Sequence, residues 1–187
     1  VSIIQVSERG IKIVQRDLKR MRGKYKRAIR LAIKTTLRDG RVIVARAIYQ
    51  ELYLPIARIK KGLRTAIFND QGEILAQQRG VQLSRYGARK LKSGIISVRV
   101  KRGGGRRKKV RRGAFFVPLR AGSEVVQGIA IPHPEGGTFK SGRPRSKILY
   151  GPSVDQAMQT LRPQIEPKIA DKFESELTRQ IKRITKG

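Results

Sequence analysis

The chain reads as an α+β protein, with helices first, a central antiparallel sheet next and one long helix to close. Three observations predict this. Between Lys24 and Tyr53, Tyr25, Ile29, Ala32, Thr36, Ile43 and Ala47 recur at the steps of a helix face. From Thr65 to Tyr150, short β-prone runs alternate with turns rich in Gly, Pro, Asn and Asp. From Ile165, the residues Ile169, Phe173, Leu177, Ile181 and Ile184 form a single apolar stripe at steps of three and four. Helices and strands are segregated along the chain, which is the α+β layout. One domain over 1–187 is expected, mainly helical in 1–63, mainly β in 64–150, with the C-terminal helix in 151–187.

Taken in order, Ile3, Ile4 and Val6 suit a short strand, and Ser7 can cap a helix from Glu8 to Arg22 with Ile11, Val14 and Leu18 on one face. Gly23 is expected to break or kink that helix before the next begins at Lys24. Gly40 falls inside the second helix at a cost of about 1 kcal/mol relative to Ala, so it marks a kink or a close contact. Arg27, Arg30, Lys34, Arg38 and Arg41 form a basic face, read either as solvated surface or as a binding face. Pro55 opens a short basic helix, 56–63.

Thr65–Phe68 is a strand, Asn69 to Gly72 a tight turn and Glu73–Gln77 a return strand. The polar stretch Gly80–Ser93 reads as a loop. Ile96, Val98 and Val100 then alternate with Ser97, Arg99 and Lys101, and Phe115, Val117 and Leu119 share a face in a second run. These two runs predict a long β-hairpin, Gly94–Arg120. Pro118 cannot donate to a ladder, which sets its strand at an edge. Gly103, Gly104 and Gly105 loosen the tip, and the cations Arg102, Arg106, Arg107, Lys108, Lys109, Arg111 and Arg112 crowd it. Further strands are expected at Val125–Ile131 and Lys147–Tyr150, joined by the Gly- and Pro-rich 132–145.

Ser153 and Gln156 have capping-box spacing for a helix after Ser153. Pro163 and Pro167 fit the start of a following helix. Gly151 before Pro152 suggests a backbone angle open mainly to glycine.

Lys and Arg number 44 against 13 Asp and Glu, a net charge of +31. Self-repulsion on that scale calls for an anionic partner, nucleic acid first and an acidic protein surface second. There is no cysteine, which excludes disulfides and thiolate metal sites. No apolar run reaches membrane-spanning length, and Val1 to Val6 is too short for a signal peptide, so a soluble, non-secreted protein without membrane association is expected.

Catalytic signatures are missing. His133 is the single histidine, in a Pro-His-Pro setting, and a zinc site needs three or four protein ligands. There is no Gly-x-Ser-x-Gly elbow, no P-loop and no clustered carboxylates of the kind a metal nuclease uses. No enzyme activity, metal or cofactor is expected. Helix-turn-helix, RNA-recognition and zinc-finger patterns are also missing, so any nucleic-acid contact should go through phosphates and ignore sequence.

The order of these pieces resembles the minor tail protein Z family of long-tailed bacteriophages, which are tail-completion proteins. The resemblance rests on the small and basic residues of Ala28–Arg46, on Thr65-Ala66-Ile67-Phe68, and on the segment from Val81 to Arg89. The glycine-led run Gly94–Val100 and Ala114-Phe115-Phe116 continue it. Its most specific piece is Leu149-Tyr150-Gly151-Pro152-Ser153-Val154 before the last helix. Tyr150, Gly151, Pro152 and Ser153 would be a structural and assembly motif. The resemblance implies a virion protein at the head-proximal end of the tail, assembled in the host cytoplasm. It implies a homo-oligomeric ring beside the tail terminator, tail tube or connector, with genomic DNA in the channel. The competing reading is a sequence-nonspecific nucleic-acid-binding protein of ribosomal or chromatin-like type. It accounts for the charge but not for the Tyr-Gly-Pro-Ser segment.

Overall fold

The structure, a computed structural model, describes residues 8–68, 71–103, 107–121, 124–133, 136–138 and 145–185, with side chains described from Gly23 onward except at Ala121, Glu124 and Thr185. It is mixed α+β, with an N-terminal helix, small antiparallel sheets and a long C-terminal helix. The expected strand at Ile3–Val6 and the Ser7 cap lie outside the described residues.

Helix α1 runs unbroken over Glu8–Glu51. Gly23 does not interrupt it, and a side chain there would meet open space. One glycine costs too little to stop a helix whose following turns are packed. Gly40 is a close contact rather than a kink. A Cβ there would lie 3.1 Å from Ile74 Cδ1 and 3.6 Å from Ile169 Cδ1. The buried face differs by a small rotation from the expected one. Ala32 and Thr36 are buried as expected, but Ile29 is exposed, and Ala28, Ile33, Leu37, Val44, Ala45 and Ile48 complete the face.

Helix α2 (Ile56–Lys61) follows Pro55. Strands β1 (Leu63–Phe68) and β2 (Gln71–Ala76) form a hairpin, with Thr65 opposite Ile74. Gly72 lets it sit on α1, since a Cβ there would come within 2.7 Å of Ile33 Cγ2. Of the expected turn, Asn69 and Asp70 lie outside the described residues.

The stretch 80–93 is more ordered than its polarity predicts. It holds β3 (Val81–Gln82), a 3-10 turn (Leu83–Arg85) and β4 (Arg89–Lys90), and it buries Tyr86 completely. The expected long hairpin is not formed. Strand β5 (Ile96–Val98) pairs with β4 on one side and with β6 (Lys108–Lys109) on the other. Strand β7 (Phe115–Ala121) pairs instead with β8 (Glu124–Pro132), which pairs with β9 (Ser146–Ile148). Gly113, at φ +83°, lies between β6 and β7. The seven residue pairs of β7–β8 outweigh the few that β5 could offer. Pro118 does sit in an edge strand of its three-stranded sheet. Among the described residues there are four small sheets in place of one central sheet.

Strand β10 (Tyr150–Gly151) pairs with β3, and α3 (Val154–Thr185) follows. The capping box is made in full. Gln156 N–H donates to Ser153 Oγ at 3.0 Å, and Ser153 N–H donates to Gln156 Oε1 at 2.9 Å. Pro163 and Pro167 lie inside α3 and do not start a second helix. Both are exposed, while Ile165 between them is buried against α1. Packing along the apolar stripe offsets the hydrogen bonds the prolines remove.

The main core gathers the last turns of α1, α2, the start of β1, Tyr86 and the first turns of α3. A smaller core joins Ile96 and Val98 of β5 to Ile129 of β8.

Candidate nucleic-acid interface

Basic side chains are the only chemistry that the chain has in excess, so the question is which are held by the protein and which are free. Among the sequence-predicted cations, Arg102, Arg107 and Arg41 donate to backbone carbonyls. Arg102 closes the C-terminus of α1, where carbonyls lack helical partners. Its Nε donates to Tyr49 O at 2.7 Å, its Nη2 to Leu54 O at 3.3 Å and its backbone N–H to Glu51 O at 2.8 Å. The guanidinium lies 3.8 Å from the centre of the Tyr49 ring and 5.1 Å from that of Tyr53. Arg99 joins this cluster, donating from Nη2 to Arg102 O at 3.0 Å.

Arg107 is the second. Its Nε donates to Ser97 Oγ at 3.2 Å, and its Nη2 donates to the carbonyl of Gly87. It clips the 85–88 turn to β5 and covers Ser97, which is buried. Arg41 is the third, donating from Nη2 to Lys60 O at 2.6 Å and so anchoring α2 to α1. The sequence alone does not separate these three from the cations that make no such bond. Each donates to at least one backbone carbonyl.

The other predicted cations fall into two groups. Lys108, Lys109, Arg111 and Arg112 are exposed, and their side chains make no ion pair or hydrogen bond among the described residues. They do not sit on a loose tip, since Lys108 and Lys109 are in β6, and Val110 N–H donates to Ile96 O at 2.8 Å. Arg106 lies outside the described residues. On α1, Arg27, Arg30, Lys34 and Arg38 are exposed, and Arg38 is 3.1 Å from Asp39.

The structure adds residues that the sequence reading missed. Strand β4 brings Arg89 and Lys90 to the opposite edge of β5, with exposed Lys92 just beyond. Arg89 and Lys109 both lie across from Ser97. At about 4.8 Å per strand step, their backbones are about 10 Å apart on one face. Like charges flanking one strand repel. One sequence signal could have found the ledge. No Asp or Glu occurs between Glu73 and Glu124.

The ledge strands carry no aromatic residue, and Tyr49 and Tyr53, at and just past the end of α1, are engaged by Arg99 and Arg102. The ledge therefore suits charge, not base stacking. Tyr150, Gly151, Pro152 and Ser153 lie elsewhere, at the junction of β10 and α3. Gly151 is not in the left-handed region. What it provides is space, because a Cβ would fall 2.6 Å from Tyr86 Cε2. Tyr86 Oη donates to Pro152 O at 2.6 Å, and burial pushes its phenol well above the ordinary value.

Among the described residues no group of three or more His, Cys, Asp or Glu could hold a metal ion, and no helix is long and apolar enough to cross a membrane. No family model, curated protein or solved structure matches this chain.

Proposed function

We propose that the protein is a structural, non-enzymatic virion component of the tail-completion type. In this reading it sits at the head-proximal end of a phage tail, helps join head and tail, and contacts DNA in the channel through phosphates. The observation that carries the DNA contact is the β4–β5–β6 ledge, where Arg89, Lys90, Lys108 and Lys109 are exposed on both edge strands with no acid in that part of the sequence. Cations held on strands are preordered for a polyanion, and each phosphate they neutralise releases condensed counterions. The resemblance at Leu149–Val154 carries the assignment to the tail. The Tyr86–Gly151–Pro152 contact and the Ser153 cap give that segment a physical role, fixing α3 against the strands. Partners on this reading are tail terminator, tail tube or connector proteins, genomic DNA and further copies of the chain in a ring.

The test is location. Antibody labelling of intact particles should mark the neck at the head–tail junction. Signal on host nucleoids or ribosomes, with none on particles, would favour the general nucleic-acid-binding reading.

A further inference from the structure

Helices α1 and α3 pack antiparallel. Lys172 Nζ lies 3.3 Å from Asp39 Oδ2, Gly40 faces Ile169, and Val44 shares a core with Ile165. This register brings Thr185 level with the turn at Lys24–Lys26. The residues of α1 before that turn extend about 25 Å beyond the described end of α3, at 1.5 Å per residue. In this overhang the sequence sets Ile11, Val14, Leu18 and Met21 at steps of three, four and three, the spacing of one helix face. Seven cations and two acids share the span Glu8–Lys24.

Farther along, α1, β2 and α3 enclose a cleft of about 920 Å³. Leu37, Ile74, Met158, Ile169 and Phe173 supply its apolar walls, and Thr36 Oγ1 is buried nearby without a hydrogen-bond partner. Its rim is acidic, with Glu73, Asp155 and Glu166. Glu166 is paired with Arg162 at 2.6 Å. Glu73 and Asp155 have no cation within ion-pair distance among the described residues, although the chain carries 44 of them.

We propose that this cleft receives the N-terminal end of α1 from a second copy of the chain. The overhang offers an apolar face flanked by cations, and the cleft offers apolar walls flanked by carboxylates. Four aliphatic side chains fit within the volume. A chain cannot fill its own cleft this way. Leu18 and Leu37 lie on one continuous helix, about 28 Å apart along its axis. The contact is therefore head-to-tail, an arrangement that closes into a ring if the rotation between copies allows it. This deepens the oligomeric part of the function proposed above and rests on that part alone.

The test is sedimentation velocity on nuclease-treated, full-length protein at physiological salt, where repulsion between distant charges is screened beyond about 8 Å. The parent should sediment as an oligomer. Leu18→Asp, which lies outside the described buried core, should sediment as a monomer with unchanged circular dichroism. Glu73→Lys with Asp155→Lys should weaken association by about ten-fold or more. A parent that stays monomeric up to about 100 μM would overturn the proposal. So would an association that either variant leaves intact. DNA affinity is read separately on the same samples, and its loss or retention leaves this result unchanged.

Discussion

At the scale of single residues, the Tyr86–Gly151 contact shows how a correct motif can be explained by the wrong physics. Gly151 before Pro152 suggests an unusual backbone angle, but the glycine sits in an ordinary strand. It is needed because the buried Tyr86 ring occupies the place of a Cβ. No local pattern could reveal that, because the ring arrives from 65 residues away in the chain. Gly151→Ala should destabilise the protein by about 1–3 kcal/mol through overpacking. Tyr86→Phe keeps the ring and loses the bond to Pro152 O, for about 0.5–1.5 kcal/mol. Urea unfolding measures both, and a Gly151→Ala protein as stable as its parent would contradict the packing account. The arginines teach the same lesson. Arg102, Arg107 and Arg41 are indistinguishable from their neighbours in sequence, and only the carbonyls they meet separate them from the free cations. Arg107→Gln should lower stability and leave DNA binding nearly unchanged.

At the scale of elements, local signals were legible and pairings were not. The Ser153 capping box and the stripe from Ile165 to Ile184 are patterns within one helix; the box is made in full, and of the stripe Ile165 is buried while Ile169, Phe173, Leu177, Ile181 and Ile184 are half-buried. The partner of β5 depends on strands far along the chain, so alternation located the strand without its neighbours. Ser153→Ala should cost about 1 kcal/mol through the lost cap. Ile165→Ala, buried between α3 and α1, should cost about 2–5 kcal/mol. Thermal or urea melts that rank these two in the reverse order would contradict the core as described. Helix α3 also carries a pH-dependent contribution. Glu176 is buried, and hydrogen bonds from Arg179 and then Gln180 hold its carboxyl below the ordinary glutamate value of 4.5. A lowered folded pKa means that the contribution is present above pH 4.5 and is lost as pH falls through the folded value. Glu176→Gln should flatten the acid limb of the stability profile, and an unchanged limb would show that Glu176 does not set it.

At the scale of the whole molecule, the excess of cations is divided between two tasks. Some close helix ends and clip loops, and others stand exposed on the three-stranded sheet of β4, β5 and β6 and along α1. The sequence announced the charge and the need for an anionic partner. It did not announce the ledge, because half of it, Arg89 and Lys90, lies in a stretch that reads as loop. The most direct test replaces Arg89, Lys90, Lys108, Lys109, Arg111 and Arg112 with Gln and measures duplex affinity over a range of salt. The fold should survive, since all six side chains are exposed. The slope of log affinity against log salt should flatten by about 0.9 for each phosphate that is no longer neutralised, equally for unrelated duplex sequences. A slope that stays as in the parent would contradict the phosphate-binding ledge and move the search to the exposed face of α1 at Arg27 and Lys34.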